Sequence, residues 1–190
     1  MRHSVLEQLH QDHIHMTTII GLIARELDAV ECAESFDLEL VEDALLYITA
    51  YPDACHHPTE DVVFGRLKDV VPEARADIAA LQREHALLIT SARELLAEVR
   101  AVQEDALVTR AELIEKGRAY IDMLKRHMDT EESGLFRLAA EHLGAADWTS
   151  IGAAIEAMDD PLFGPAVSAD HQRLWRRITA HTPSPASPLS

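Results

Sequence analysis

Apolar residues recur along most of the chain at alternating spacings of three and four, which is the period of an amphipathic α-helix. Four long stretches show this period, at about residues 4–30, 38–71, 72–104 and 109–143. Pro72 is a favoured first residue for the third stretch, and Thr109 with Glu112 forms a capping-box pattern at the start of the fourth. Pro52 and Pro58 lie inside the second stretch. Each lacks a backbone donor, so we expect that helix to kink or restart there.

The sequence therefore predicts an all-α fold. Short connections between long helices imply antiparallel neighbours, and hence an up-down-up-down four-helix bundle over residues 1–143. Residues 144–181 are expected to form a C-terminal helical extension packed on the bundle, with one or two short helices at about 147–158 and 168–179. The Pro- and Ser-rich residues 182–190 are predicted to be a disordered tail.

Composition narrows the possible partners. Apolar residues make up 47% of the 190 residues, and 17 Lys and Arg against 33 Asp and Glu give a net charge of −16. This sign disfavours nucleic acid and anionic lipid as partners, and no apolar stretch is long enough to predict a membrane span. No secretory signal is visible and the only cysteines are Cys32 and Cys55, so we expect a cytoplasmic location. No pattern in the sequence specifies a protein partner.

Histidine is the unusual residue type, with 11 copies. Each long helix has one histidine on its apolar stripe; these are His13, His56, His85 and His127. Glu60 and Glu131 follow two of them by four residues, which places them one turn further along the same face. A single core histidine is usually structural. Four of them with two buried carboxylates are hard to explain in that way, because an unpaired buried carboxylate is very costly.

Counting residues along the helices places all six side chains at one level. At about 1.5 Å per residue, the distances from each histidine to its helix end match those of its antiparallel neighbour to within about one turn. Imidazole and carboxylate groups that converge in a bundle core indicate a metal site. Six ligands exceed the need of one ion, whereas two ions bridged by the two glutamates would use them all. The ligand mix suits iron, and ligand type alone also admits zinc or manganese.

These residues lie in motifs that resemble the hemerythrin-like proteins, also called HHE cation-binding domains. The motifs are Leu9-His10-Gln11-Asp12-His13, His56-His57-Pro58-Thr59-Glu60-Asp61, Glu84-His85 and His127-Met128-Asp129-Thr130-Glu131-Glu132. The resemblance covers about residues 1–143, and the segment 147–164 is similar to a C-terminal extension of some bacterial members. It implies two Fe ions with an oxo or hydroxo group between them. One iron would be held by His13 and His56, the other by His85 and His127, and Glu60 and Glu131 would bridge.

Two departures from the oxygen-carrying members of that family affect the expected function. Those members have a second histidine on the third helix, where this chain has Leu81, and an aspartate five residues after the last histidine, where this chain has Glu131 four after it. Both departures resemble the bacterial type and leave a coordination position free. We therefore expect binding of oxygen, nitric oxide or peroxide in sensing, storage or stress protection. The alternative is a di-iron enzyme that decomposes peroxide or handles nitric oxide.

Several neighbouring residues have two interpretations. Tyr51 and Tyr120 could occupy the free coordination position, although a buried aromatic with a hydrogen-bonded hydroxyl is the more common role. His10 and His57 are predicted to lie at the edge of the site or on the surface, outside the ligand set. His15 is rotated about 200° from His13 around the helix and is predicted to be in solvent.

Overall fold

The computed structural model describes residues 2–104, 108–156 and 158–181, with the side chains of residues 2–4 and 181 left undescribed. Within these ranges the regular structure is helical and no strand occurs. This agrees with the predicted all-α class. The predicted tail at 182–190 lies outside the described residues.

Helices in four rods make up most of the fold. Their bounds are α1 Arg2–Glu31, α2 Leu38–Tyr51, α3 His57–Val70, α4 Arg75–Gln103, α5 Arg110–Thr130 and α6 Phe136–His142. A π-helical turn at Pro52–His56 joins α2 to α3, and another at Glu131–Leu135 joins α5 to α6, so each pair forms one continuous rod. A short 3₁₀ turn, Pro72–Ala74, leads into α4.

Local sequence explains where the rods begin and how one of them passes its prolines. The Thr109 hydroxyl accepts a hydrogen bond from the Glu112 backbone N–H, and the Glu112 carboxylate accepts one from the Thr109 N–H, which confirms the predicted capping box. In the second rod the His57 N–H donates to the Pro52 carbonyl, five residues back. The prolines therefore widen one turn instead of breaking the helix, and Pro58 lies just past that turn in α3.

The four rods contact one another in a ring, since α1 packs on α2 and α5, and α4 packs on the same two helices. Two apolar clusters fill the interior. One contains Met16 and Leu88, and the other contains Leu9 and Leu81. His13 lies between Leu9 and Met16 along α1, and His85 lies between Leu81 and Leu88 along α4. A layer of buried polar side chains therefore separates the two apolar clusters.

Two further helices follow the rods. α7, Ala145–Ala154, packs on α3 and α1, and α8, Gln172–His181, packs on α2 after a 3₁₀ turn at Ala169–His171. α7 ends before the predicted position near 158 because Ile155 takes an extended backbone conformation, with φ −79° and ψ 128°. None of the helices in the described ranges has the length and apolarity that crossing a membrane requires.

Candidate metal centre

The six side chains predicted to share one layer do converge in the structure. His13, His56, Glu60, His85, His127 and Glu131 are all buried, with exposed fractions of 6% or less. They form two groups of four, and the ligand atoms within each group lie within 4.8 Å of one another. Glu60 and Glu131 belong to both groups. The two glutamates therefore occupy the shared edge between two sites.

The first group is built by α1 and the second rod around two imidazoles. His13 Nε2 lies 3.1 Å from His56 Nε2 and 3.4 Å from Glu131 Oε2. His56 Nε2 lies 3.3 Å from Glu60 Oε1. Two donor atoms at about 2.1 Å from a common transition metal lie roughly 3–4 Å apart. The spacing in this group matches that requirement.

The second group is built by α4 and the fourth rod. His85 Nε2 lies 3.3 Å from Glu60 Oε2 and 3.4 Å from Glu131 Oε1, and His127 Nε2 lies 3.2 Å from Glu131 Oε1. Each glutamate thus presents one oxygen to each group. Glu60 directs Oε1 toward His56 and Oε2 toward His85, while Glu131 directs Oε2 toward His13 and Oε1 toward His85 and His127.

Several buried polar atoms in this layer have no hydrogen-bond partner in the described part of the chain. They are both carboxylate oxygens of Glu60, Oε2 of Glu131 and Nε2 of His127. Burying such groups without a partner costs several kcal/mol each by the usual transfer estimates of roughly 2–7 kcal/mol. All of these atoms face the interior of the two groups, so bound cations would satisfy all of them together. The residues present therefore fit a metal centre.

Electrostatic attraction within the layer couples the protonation of the imidazoles to that of the carboxylates. Burial alone would lower the pKa of His13, His56 and His85, but the nearby carboxylates of Glu60 and Glu131, and of Asp12 for His56, raise these pKa values to about 9, about 10 and about 9. Burial opposes ionisation of Glu131, yet its hydrogen bonds to the histidines hold its pKa at about 2. The same balance holds the pKa of Glu60 well below its usual range. Without metal, protons on the imidazoles therefore neutralise the buried carboxylates.

Three carboxylates outside the six residues orient the imidazole rings. His56 Nδ1 lies 3.1 Å from Asp12 Oδ2. His13 Nδ1 lies 2.9 Å from Glu132 Oε1, and His127 Nδ1 lies 3.0 Å from Glu84 Oε2. A carboxylate at Nδ1 turns Nε2 toward a metal and makes that nitrogen a stronger donor. The sequence interpretation missed these roles, although each carboxylate is adjacent in sequence to a candidate ligand.

His85 has an aromatic neighbour instead. The ring of His57 stacks on it with centroids 4.2 Å apart, and burial lowers the pKa of His57. His10 is exposed and its Nδ1 lies 2.7 Å from Glu132 Oε1, so both histidines lie beside the site, as predicted.

The solvent position predicted for His15 is wrong. Only 17% of its side chain is exposed, and its ring stacks on Phe163 with centroids 4.0 Å apart. The C-terminal extension covers this face of α1. The helical period of α1 cannot reveal what a distant segment covers.

The layer is made of two similar halves. In the first, Asp12 precedes His13 on one helix and bonds to His56, which has Glu60 four residues later. In the second, Glu84 precedes His85 and bonds to His127, which has Glu131 four residues later. Each half is an acidic residue and histidine on one rod, paired with His-x3-Glu on the next. This recurrence is visible in the sequence once the pairing is known.

A small cavity of about 10 Å³ lies on one side of the layer. Each rod contributes a lining side chain three or four positions from its histidine: Met16, Pro52, Leu88 and Leu124. Tyr120 also lines the cavity, whereas the Tyr51 hydroxyl donates to Asp12 at 3.3 Å. A volume of this size is about the minimum that holds one water-sized molecule.

Comparisons with known proteins place the chain in a family. No curated protein and no solved structure matches the sequence. The family model described as the hemerythrin HHE cation-binding domain does match, over residues 4–139. This range covers most of the chain and contains all six converging residues. The chain therefore belongs to the hemerythrin HHE cation-binding domain family.

Proposed function

We propose that this protein binds two iron ions in the layer of six side chains and uses them to bind a small ligand such as oxygen, nitric oxide or peroxide. His13 and His56 would hold one iron, and His85 and His127 the other. Glu60 and Glu131 would bridge the pair, together with the oxo or hydroxo group implied by the family resemblance. When bound, iron would supply an open coordination position and one-electron redox chemistry.

One observation carries this proposal: each buried glutamate presents a different oxygen to each group of imidazoles. A carboxylate that served one ion, or only a structural ion pair, would not need both oxygens buried and facing two separate clusters. Four imidazoles with bridging carboxylates suit iron better than calcium or magnesium, which prefer oxygen ligands alone.

We also propose that the rods follow the up-down-up-down order, as a bundle domain over residues 1–143 with an extension over 144–181. Pairings between neighbouring rods support this order. Arg118, early in α5, pairs with Asp28 near the end of α1, whereas Glu132, late in the same rod, pairs with His13. Contacts that run in opposite order along two rods are those of antiparallel neighbours.

The small cavity supports a diatomic or similarly small ligand. It is lined mainly by apolar side chains and lies about one helical turn from the imidazole layer on every rod. A cavity of about 10 Å³ has no room for an organic substrate. On the opposite side of the layer, Phe136 stacks on His13 with centroids 5.4 Å apart. His13 also lines an open surface pocket of about 490 Å³. The small cavity therefore supports a small ligand, and we propose that its binding serves sensing, storage or stress protection.

Metal analysis of protein produced with adequate iron tests the first part of the proposal. We expect two irons per chain, and an optical spectrum that changes when azide is added. One metal or fewer in well-folded protein would overturn the dinuclear assignment.

A cavity-filling variant tests the second part. Ala92→Leu would extend a side chain into the small cavity, because Ala92 is buried and lines it. We expect both irons to be retained while affinity for azide and nitric oxide falls at least about tenfold. Ala86→Leu, on the exposed face of the same helix, is the matched control and should bind both ligands normally. Equal ligand affinity in the two variants would show that ligands bind elsewhere.

A further inference from the structure

A second buried polar cluster, built by α2 together with the C-terminal extension, lies beside the proposed metal centre. Asp160 is buried, and one of its carboxylate oxygens accepts a hydrogen bond from the Tyr47 hydroxyl at 2.9 Å. The other oxygen accepts from the backbone N–H groups of Leu162 and Phe163 at 2.8 and 2.9 Å. The proposed function assigns no role to this cluster.

Aromatic rings connect this cluster to the surface. Tyr47 contacts Phe163 edge to face with centroids 6.0 Å apart, and Phe163 contacts Trp175 in the same manner at 6.0 Å. Trp175 is 36% exposed. The outer end of the series therefore reaches solvent on α8.

The inner end of the series reaches a proposed iron ligand. Tyr47 and Tyr51 are stacked with ring centroids 5.9 Å apart. The Tyr51 hydroxyl donates to Asp12 at 3.3 Å, and the other carboxylate oxygen of Asp12 lies 3.1 Å from His56 Nδ1. Ring contacts and hydrogen bonds therefore run without a gap from His56 to solvent.

The Tyr47 environment is suited to one-electron chemistry. Burial and the nearby charge of Asp160 raise the pKa of Tyr47 strongly, so the phenol is neutral. A buried neutral phenol loses an electron readily only if its proton has somewhere to go, since a charged radical would be poorly solvated. The Asp160 oxygen at 2.9 Å can take that proton.

We propose that Trp175, Tyr47 and Tyr51 form a relay that carries single electrons between an external donor at the surface and the metal centre. The connection of this relay to a metal centre rests on the proposed function. In each transfer, Tyr47 gives one electron through Tyr51 to an iron oxidised by peroxide, and its phenolic proton passes to Asp160. The Tyr47 radical and Trp175 then exchange one electron reversibly, and when Trp175 supplies that electron the proton returns from Asp160 to Tyr47. A small one-electron reductant in solution, such as ascorbate, reduces Trp175, so one electron moves inward and the relay is restored.

The first experiment tests the relay without iron redox chemistry. Full-length protein loaded with zinc, which has no redox chemistry, is exposed to a flash-generated ruthenium polypyridyl oxidant that reacts at the surface. We expect the optical signal of a tryptophan radical at Trp175 to convert to that of a tyrosine radical. In Tyr47→Phe the tryptophan radical should persist at least about tenfold longer. Tyr120→Phe removes the tyrosine outside the series and should behave like the parent protein.

A substitute variant is available for this experiment, and two outcomes would contradict the relay. If Tyr47→Phe does not fold, Trp175→Phe replaces it; this partly exposed position should fold, and its surface oxidation should give no tyrosine radical. A tyrosine radical that forms equally in the parent and in Tyr47→Phe or Trp175→Phe overturns the relay, as does its absence from the parent protein.

The second experiment tests the connection to the centre. Iron-loaded protein is treated with hydrogen peroxide in the presence of a spin trap, and the modified residue is located by mass spectrometry. We expect the adduct at Trp175 in the parent protein, because the trap captures the radical whenever it lies on this partly exposed ring. The adduct should persist in Trp148→Phe, which changes a buried tryptophan outside both the series and the small cavity, and should be lost in Tyr47→Phe. Iron-loaded protein without an adduct at Trp175 overturns the connection. Protein that binds no iron but still passes the flash experiment would instead contradict the proposed function.

Discussion

Metal affinity should rise steeply with pH above neutrality. In the metal-free protein the pKa values of His13, His56 and His85 are about 9, about 10 and about 9, all above the unfolded value near 6.5. Their protons stabilise the metal-free fold below about pH 6.5, and this contribution is lost as the pH rises through 9 to 10. Metal needs neutral imidazoles, so loading near pH 8 should release about three protons from these histidines.

The expected slope follows from that proton count. Each released proton raises the overall constant for loading both ions about tenfold per pH unit, so three protons give roughly 10³-fold per unit. Histidines with ordinary pKa values would release only about 0.1 proton in total near pH 8. Formation of a hydroxo bridge from water adds about one proton in either case. The logarithm of the loading constant should therefore rise by about four per pH unit if the histidine pKa values are raised. It should rise by only about one per pH unit if those pKa values are ordinary.

Competition between the protein and a chromophoric chelator for ferrous iron, without oxygen, from about pH 7 to about pH 8.5 measures this slope. Histidine NMR of the metal-free protein should show three imidazoles that titrate near pH 9 to 10. Asp61→Asn is the matched control, because Asp61 adjoins Glu60 but is exposed and accepts a hydrogen bond from Gln82. Its slope should equal that of the parent protein. A parent slope of one or less would refute the coupling between imidazoles and buried glutamates.

Five further substitutions have expected outcomes. Glu60→Gln should lose at least one metal, whereas Glu132→Gln should keep both with about 10–100-fold weaker binding, as measured by elemental analysis and chelator competition. Gly65→Ala should raise the free energy of unfolding in urea by about 0.5–1 kcal/mol, because nothing lies within 4 Å of the added Cβ. Gly117→Ala should gain less, because its Cβ would meet Leu27 Cδ1 at 2.6 Å. Gly164→Ala should lower the unfolding free energy by about 1–3 kcal/mol, because its Cβ would lie 2.3 Å from the Asp160 carbonyl oxygen.

Helical period and residue counts were enough to predict the rods and the layer. Apolar spacing identifies the buried face of each helix, and the proposed antiparallel order turns residue counts into heights along the rods. The convergence of His13 with Glu131 could therefore be expected from sequence, although the two residues are far apart along the chain. The prolines were also visible, but not the widened turn that lets the second rod pass through them.

Contacts between rods depend on the direction of each side chain, which the helical spacing of apolar residues does not specify. Glu132 and Asp61 each follow a candidate bridging glutamate, yet Glu132 bonds to His13 while Asp61 is exposed and pairs with Gln82. His15 is covered by Phe163 of the C-terminal extension, which lies more than 140 residues further along the chain. Such partners are set by tertiary packing, so only the structure reveals them.

The two similar halves of the layer differ in their electric surroundings. Asp12, which holds His56, is 3% exposed, whereas its counterpart Glu84, which holds His127, is 46% exposed. The first half also has Glu132 against His13, while the second has the uncharged ring of His57 against His85. A buried negative charge stabilises a nearby positive charge more strongly than a solvated one does. In the proposed di-iron centre the two ions would therefore differ in reduction potential, and a mixed-valence pair would keep its ferric ion on the side of His13 and His56.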